Sequence, residues 1–457
     1  MTDTPHTSHL SPLTSHLSPL TSHLSPLTSN EDTICAPATA HGGAIAIIRI
    51  SGPHALQIVS AICHVRCDTV AANTIHHTRI VDANGDTVDD CMVSVFRAPH
   101  SYTGEDSVEI SCHGSLFITN KVLEMLIDNG CRMAKPGEYT MRAYMNGKMD
   151  LAQAEAVADL IASSNKATHQ LAMSQLRGGV STELDTLREQ LLQLTSLLEL
   201  ELDFSDHEDL EFADRSELTE LSTTIYNHIT RLADSFHIGN ALKQGIPVAI
   251  VGAPNVGKST LLNALVGEER AIVSDQQGTT RDAIEDTITL GGVQFRFIDT
   301  AGIRHTADQI EKMGIERSIA AARRARIIIL MTEPGVPYPD LDVRDDQTVI
   351  RIENKSDDFQ AKYGIGIEAL KQRLIDAIPA FSDSDVIVTN ARHYDALLRA
   401  SEHLQRVIDG LKMQISGDLL SEDLRLALDT LAEITGKGQI TPNEVLGNIF
   451  THFCIGK

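Results

Sequence analysis

Apolar residues change rhythm three times along the chain. Residues 43–50 form an apolar, β-branched run closed by Ser51, Gly52 and Pro53, the pattern of a strand and its turn. Residues 54–62 read as a helix. Residues 75–80 and 88–96 read as strands around a turn at Asn84 and Gly85, and residues 107–112 alternate as a further strand. Residues 116–129 form an amphipathic helix stopped by Gly130. From Leu151 the rhythm becomes helical. Leu184, Leu187, Leu191, Leu194 and Leu198 recur at spacings of three and four, which predicts the core seam of a helical bundle. A second helix is expected over residues 217–237, with a solvated acidic stretch at 205–211 between the two.

The helical pattern then breaks. Residues 246–251 are short, apolar and β-branched, whereas residues 259–266 return to helical spacing. Residues 283–290 and 293–298 flank Gly291 and Gly292 as a hairpin, and residues 327–331 and 348–352 add two strand-sized runs. Helices resume near Ala391. The expected fold class is multidomain α/β. An α+β domain spans 31–150, and a helical domain is built from 151–243 and 385–457. An α/β domain over 244–384 is inserted between those helical stretches. Residues 8–28 are three copies of Ser-His-Leu-Ser-Pro-Leu-Thr, with a proline in each. Residues 1–30 are therefore expected to be a disordered tail, or sequence translated upstream of the true start.

Composition narrows the function classes. Among 457 residues, 38 are basic and 62 acidic, a net charge of −24. A nucleic-acid-binding surface over the whole molecule is excluded, because phosphate neutralisation needs clustered Lys and Arg. The seven cysteines are scattered and odd in number, which fits a reducing cytosol rather than a disulfide framework. Cys63 and Cys67 lack a second pair at zinc-finger spacing. No apolar run reaches membrane-spanning length.

The chemistry is carried by residues 252–260, Gly-Ala-Pro-Asn-Val-Gly-Lys-Ser-Thr, set between a strand and a helix. This is the phosphate-binding loop, in which backbone N–H groups and the helix N-terminus face phosphate oxygens. Asn255, Val256, Gly257, Lys258, Ser259 and Thr260 are the expected contacts. Lys258 reaches the β- and γ-phosphates and the Ser259 hydroxyl takes Mg²⁺. Further segments follow in GTPase order. Gly278, Thr279 and Thr280 lie where a switch loop belongs, with Thr280 on Mg²⁺. Asp299, Thr300, Ala301 and Gly302 end a strand beside the γ-phosphate. Asn354, Lys355 and Asp357 follow another strand. The Asp357 carboxylate can accept both N–H groups of guanine's Watson–Crick edge, which selects GTP over ATP. Two departures stand out. Ile303 occupies the place where Ras-like enzymes carry a water-orienting Gln. Only residues 358–360 separate the guanine motif from Ala361 and Lys362, the remnant of a base-backing loop. A helix and a strand normally fit between those motifs, so the doubly wound sheet is expected to be shortened after Asp357.

Residues 103–106 (Thr-Gly-Glu-Asp), 135–138 (Lys-Pro-Gly-Glu), 146–155 (Asn-Gly-Lys-Met-Asp-Leu-Ala-Gln-Ala-Glu) and 453–457 (Phe-Cys-Ile-Gly-Lys) resemble the MnmE (TrmE) family of tRNA wobble-uridine modification GTPases. The resemblance covers about residues 31–457. It implies an N-terminal folate-binding and dimerisation domain, in which Arg49, Glu105, Lys148 and Lys457 contact 5-formyl-tetrahydrofolate or a related one-carbon folate. It also implies GTPase domains that dimerise across the nucleotide and use K⁺ in place of an arginine finger. Asn255 matches the K⁺-binding residue, and the loop holding Ser274, Gln276 and Thr279 supplies further ligands. Glu311 matches the residue that helps to position water. Cys454 is implied in the tRNA chemistry, where a thiolate beside Lys457 is a candidate nucleophile and a buried inert thiol is the alternative. The resemblance further implies a homodimer and a heterotetramer with a flavoprotein of the MnmG/GidA type. That complex adds an aminomethyl-type group, aminomethyl or carboxymethylaminomethyl, at C5 of the tRNA wobble uridine in the cytoplasm. Arg132, Lys135, Arg142 and Lys148 are the candidate local cations for RNA. Two other readings stand beside this one: a ribosome-assembly GTPase of the same superfamily, and a scaffold whose GTPase has decayed.

Overall fold

A computed structural model describes residues 32–40, 42–203, 215–267, 286–298, 319–378, 386–437, 449–451, 453 and 456. The repeat tail and the acidic stretch lie outside them. By contact the chain divides into two units. The first takes residues up to 36, 40–96 and 106–133, and the second takes 37–39, 97–105 and everything from 134.

The first unit is a six-stranded sheet of order β3-β4-β5-β2-β1-β6. Its strands are β1 (Thr33–Pro37), β2 (Ile45–Ser51), β3 (Thr74–Val81), β4 (Thr87–Phe96), β5 (Ser107–His113) and β6 (Cys131–Met133), with helices α1 (Ala55–Ile62) and α2 (Leu116–Asp128). The predicted strands at 43–50, 75–80, 88–96 and 107–112 are present, as are both helices. β1 and β6 went unread, because β6 has three residues and β1 sits against a Pro and a charged flank. They pair in parallel, Thr33 with Cys131 and Cys35 with Met133. Ile48, Ile50, Val93, Val95, Val108 and Ile110 are fully buried, the inward half of the period-two alternation.

In the second unit, helices α3 (Glu138–Met145), α4 (Leu151–Ala162), α5 (Lys166–Leu176), α6 (Gly179–Asp203) and α7 (Arg215–Gln244) precede the α/β segment. Reciprocal capping boxes start α4 (Asp150 with Gln153) and α5 (Asn165 with Thr168). The leucine seam from Leu184 to Leu198 is buried. It shares one core with Ile225 and Ile229 of α7 and with residues of two helices after the α/β segment, α10 (Ala391–Lys412) and α11 (Gly417–Thr435). The helical bundle is thus assembled from stretches on both sides of the α/β segment. α7 runs past its predicted end to Gln244, and Gly245 at φ +86° turns the chain into the first strand of the α/β sheet.

That sheet has order β11-β10-β7-β9-β8, formed by β7 (Ile246–Gly252), β8 (Asp286–Leu290), β9 (Val293–Phe297), β10 (Ile327–Thr332) and β11 (Thr348–Glu353). β7 and β10 are central and buried on both faces, so their sequences are unbroken apolar runs. One face packs on α8 (Lys258–Gly267) and α9 (Ile367–Asp376), with Ala167 and Leu171 of α5 in the same core. The other covers Ala321 and Ala322 of a helical stretch at 319–324, together with Ala325 just beyond it. Among the described residues the sheet ends at β11, followed by a 3₁₀ turn at Ala361–Tyr363.

Candidate nucleotide site

β7, β10 and β11 run parallel and finish on one edge, where ligands of open α/β sheets bind. β7 ends at Gly252, where a Cβ would lie 2.5 Å from the Met331 carbonyl oxygen of β10. Only glycine lets the loop leave the strand so close to its neighbour. The loop then turns through Asn255 at φ +62° and Gly257 at φ +101°, and α8 begins at Lys258. Asn tolerates the left-handed region better than most side chains, which suits Asn255 to this place. Val256 points inward and is 1% exposed, anchoring the loop on the core. Lys258 Nζ donates to the carbonyls of Gly252 at 2.8 Å and Ala253 at 2.9 Å, so its ammonium lies across the loop. Burial holds its pKa below the usual lysine range. Ser259 and Thr260 follow Lys258 on the first turn of α8.

The guanine motif meets this loop directly. Asn354 follows β11 and is 4% exposed. Its Nδ2 donates to the Val256 carbonyl at 2.7 Å, and its Oδ1 accepts from the Ala361 N–H at 3.0 Å. A Cβ at Gly257 would lie 2.4 Å from that Nδ2, so the glycine makes room for the asparagine. Lys355 is also left-handed, at φ +66°, and its Nζ reaches Glu333 Oε1 at 2.5 Å and the Asn255 carbonyl at 3.4 Å. Asp357 is exposed, where a carboxylate can meet a base edge.

Residues 356–366 close this side tightly. Phe359 N–H donates to Ser356 Oγ at 3.1 Å, Gln360 N–H to Ile365 O at 3.1 Å, and Gly366 sits against the Phe359 ring. The short connection therefore brings Ala361 back onto the guanine motif. Phe359 is 8% exposed and lies in the α/β core beside Ile367 and Leu370.

Other predicted residues are placed separately. In the first unit, Arg49 on β2 faces Glu109 on β5, with Nη2 to Oε1 at 2.7 Å. In the second, Glu105 is held by Arg142 Nη1 at 3.1 Å, and Lys148 Nζ donates to the Pro99 carbonyl at 2.9 Å. Asn146 Nδ2 donates to the Thr103 carbonyl at 2.7 Å, so the 103–106 and 146–155 motifs adjoin through these contacts. Arg142 was among the candidate cations for RNA, and the structure corrects that: it is 1% exposed and clamped between Glu105 and Glu138, the latter fully buried. Cys63 and Cys67 are both buried, and the described residues contain no group of three or more His, Cys, Asp or Glu able to hold a metal ion. No helix among the described residues is long and apolar enough to cross a membrane. Ser274, Gln276, Gly278, Thr279, Thr280, Asp299, Thr300, Ala301, Gly302, Ile303, Glu311, Cys454 and Lys457 lie outside the described residues.

Strand, glycine loop, helix and a base motif at the strand ends define the class of P-loop nucleotide-binding proteins. Two family models match the chain: the MnmE helical domain over residues 151–454 and the GTP-binding protein TrmE N-terminus over residues 33–148. A tRNA modification GTPase MnmE from Parabacteroides distasonis is 51% identical over 461 residues, covering 93% of this chain and all of the relative. Proteins of the same description from Bacteroides fragilis and Porphyromonas gingivalis are 50% and 47% identical, each over 94% of this chain and 100% and 98% of their own lengths. The chain belongs to the MnmE family of tRNA modification GTPases. The 461 aligned positions are more than 93% of a 457-residue chain can fill, so the Parabacteroides relative carries residues that this chain lacks.

Proposed function

We propose that the protein is a K⁺-dependent GTP hydrolase, activated by dimerisation of its α/β segments, that serves tRNA modification. GTP hydrolysis in tRNA modification is the activity described for its relatives. The observation that carries it to this chain is Asn354, which joins the phosphate loop at Val256 to the shortened base side at Ala361. A guanine site with both ends tied together supports a working enzyme over a decayed scaffold. Thr280, Asp299 and Gly302 would complete the phosphate end, with Ser259 and Thr280 on Mg²⁺. Asn255, Ser274, Gln276 and Thr279 would hold K⁺ between two facing nucleotides, where a cation offsets charge that develops on the phosphates. Glu311 would position water in place of the Gln that Ile303 replaces.

The finer reading places the protein in the cytoplasm as a homodimer. There it acts with an MnmG/GidA-type flavoprotein to add an aminomethyl or carboxymethylaminomethyl group at C5 of the wobble uridine. Arg49, Glu105, Lys148 and Lys457 are the proposed contacts of the one-carbon folate, and Cys454 is proposed for the tRNA chemistry. The experiment is GTP turnover against protein concentration, in K⁺ and in Na⁺. Turnover per molecule should rise with concentration in K⁺ and stay low in Na⁺. Equal, concentration-independent rates in both salts would overturn cation and dimer activation. Nucleoside analysis of tRNA from a deletion strain tests the modification, and an unchanged wobble uridine would sink it.

A further inference from the structure

Helix α4 holds two distant parts of the chain at once. Leu151, Ala154 and Val157 pack with Phe450 and Phe453 of the C-terminal end and with Met141, in a cluster of their own. Glu155, between them in sequence, takes Arg392 and His393 of α10. Arg392 Nε and Nη2 donate to the two Glu155 oxygens at 2.9 and 3.0 Å, and His393 Nε2 lies 2.7 Å from Glu155 Oε2. His393 is 1% exposed, and its Nδ1 has no hydrogen-bond partner among the described residues.

Arg392 also finishes α11. Its Nη1 donates to the Glu433 carbonyl at 2.7 Å and its Nη2 to the Ile434 carbonyl at 2.9 Å, two of the carbonyls that a helix C-terminus leaves unmet. Just beyond, Gly436 O accepts from the Tyr144 hydroxyl at 3.2 Å, and Tyr144 borders the Phe450 and Phe453 cluster.

Upstream of Arg392, residues 387–389 carry the chain out of the α/β segment and are held in place. Ile387 belongs to the α/β core and Val388 to the bundle core. Gln175 Nε2 donates to Ile387 O at 3.1 Å and to Thr389 Oγ1 at 2.9 Å, and Val388 N–H donates to Ser235 Oγ at 3.0 Å. A Cβ at Gly239 would lie 2.3 Å from the Val388 carbonyl oxygen, so α7 and this segment are in contact without slack. Any displacement of the α/β segment that moves residues 387–389 moves the first turn of α10, and Arg392 with it.

We infer that the Glu155–Arg392 pair is a positioning device, which couples the exit of the nucleotide segment to the seat of Phe450 and Phe453. The inference rests on the reading that nucleotide turnover serves chemistry at the C-terminal end. The planar guanidinium matters here. One fork meets a carboxylate side-on and two carbonyls besides, which a lysine ammonium cannot reproduce.

The test is amide hydrogen exchange of residues 449–453 in the full-length protein, with GDP and with GDP plus aluminium fluoride in K⁺. GTP turnover and wobble-uridine content are measured on the same variants, Glu155→Gln and Arg392→Lys. In the parent protein the two nucleotide states should differ in exchange by about tenfold. In both variants that difference should fall below about twofold, with GTP turnover kept within about twofold and modification lost. Glu155→Gln keeps the side-chain volume and Arg392→Lys keeps the charge, so a fold lost in one leaves the other to decide. A nucleotide-dependent difference that persists in the folded variants overturns the coupling. If the parent itself shows no difference, the proposed link between turnover and the C-terminal end fails instead.

Discussion

Asn354 reaches across the nucleotide site to Val256, donating to its carbonyl at 2.7 Å. The same amide accepts from Ala361 at 3.0 Å, so one side chain sets the distance between phosphate loop and base loop. Asn354→Ala leaves a buried carbonyl and a buried N–H unmet, at about 1–3 kcal/mol each. Affinity for GDP should fall at least about tenfold. Titration with a fluorescent guanine nucleotide checks this, and an unchanged affinity would show that the base side binds without the asparagine.

Gly257 offers a second approach to the same contact. At φ +101°, with a Cβ that would lie 2.4 Å from Asn354 Nδ2, alanine meets both backbone strain and collision. Gly257→Ala should cost about 1–3 kcal/mol of stability and abolish nucleotide-induced stabilisation. A thermal unfolding series with and without GDP reads both. A normal upward shift of Tm with GDP would mean that the loop tolerates the side chain.

Arg142 neutralises Glu138 and Glu105, and the three side chains are 1%, 0% and 12% exposed. Arg142→Met leaves two carboxylates without their common cation. Breaking such a buried set costs about 3–5 kcal/mol. The urea midpoint should fall accordingly. A variant as stable as the parent would indicate that the carboxylates find protons or water instead.

Glu155 bears on acid stability. Burial by itself would raise its pKa, but the hydrogen bond and charge of His393, then those of Arg392, outweigh burial and hold the carboxyl below its usual range. For a depressed carboxyl, the folded state binds fewer protons than the unfolded state. Its stabilising contribution is therefore present above the ordinary Glu pKa and is lost as pH falls through the folded value. The parent protein should lose stability across that acidic window, and Glu155→Gln should lose less. Tm against pH for the two proteins decides it, and parallel curves would refute the assignment.

Cys67 and Cys112 should be inert. Burial raises the Cys67 thiol, and burial, then the Asp89 charge, push Cys112 up to about 11. At neutral pH the Cys112 thiol is therefore thiolate in only about one molecule in ten thousand, and both thiols are shielded as well. Alkylation of Cys67 and Cys112 by iodoacetamide should proceed at the rate of unfolding, followed by mass spectrometry of peptides. Fast modification in the folded protein would contradict their burial.

Much of this architecture was legible in local patterns. The β-branched run at 246–251, the glycine loop and the helix after it identify themselves, because the local chemistry admits few alternatives. The three residues between Asp357 and Ala361 announced a shortened sheet, and β11 is the last strand among the described residues. What sequence did not show is how the short loop closes. Ala361 returns to Asn354 only because Ser356, Phe359 and Gly366 fold the chain back on itself. Long-range partners were equally silent. Glu155 and Arg392 are 237 positions apart, and neither has a local pattern that points to the other. Arg142 misled for a related reason. A lone arginine on a short helix reads as surface charge until Glu105, 37 positions away, is seen beside it.

The position of β11 as the last strand of its sheet among the described residues also bears on solubility. An outermost strand presents a row of backbone groups that another chain can extend, which invites self-association. Here Arg373 Nη1 donates to the Arg351 carbonyl of β11 at 3.1 Å, and Arg351 leans over the Tyr338 ring at 5.9 Å. Two arginines and Glu353 thus place charge along the margin where a neighbouring strand would dock. That margin is guarded by side chains rather than by backbone.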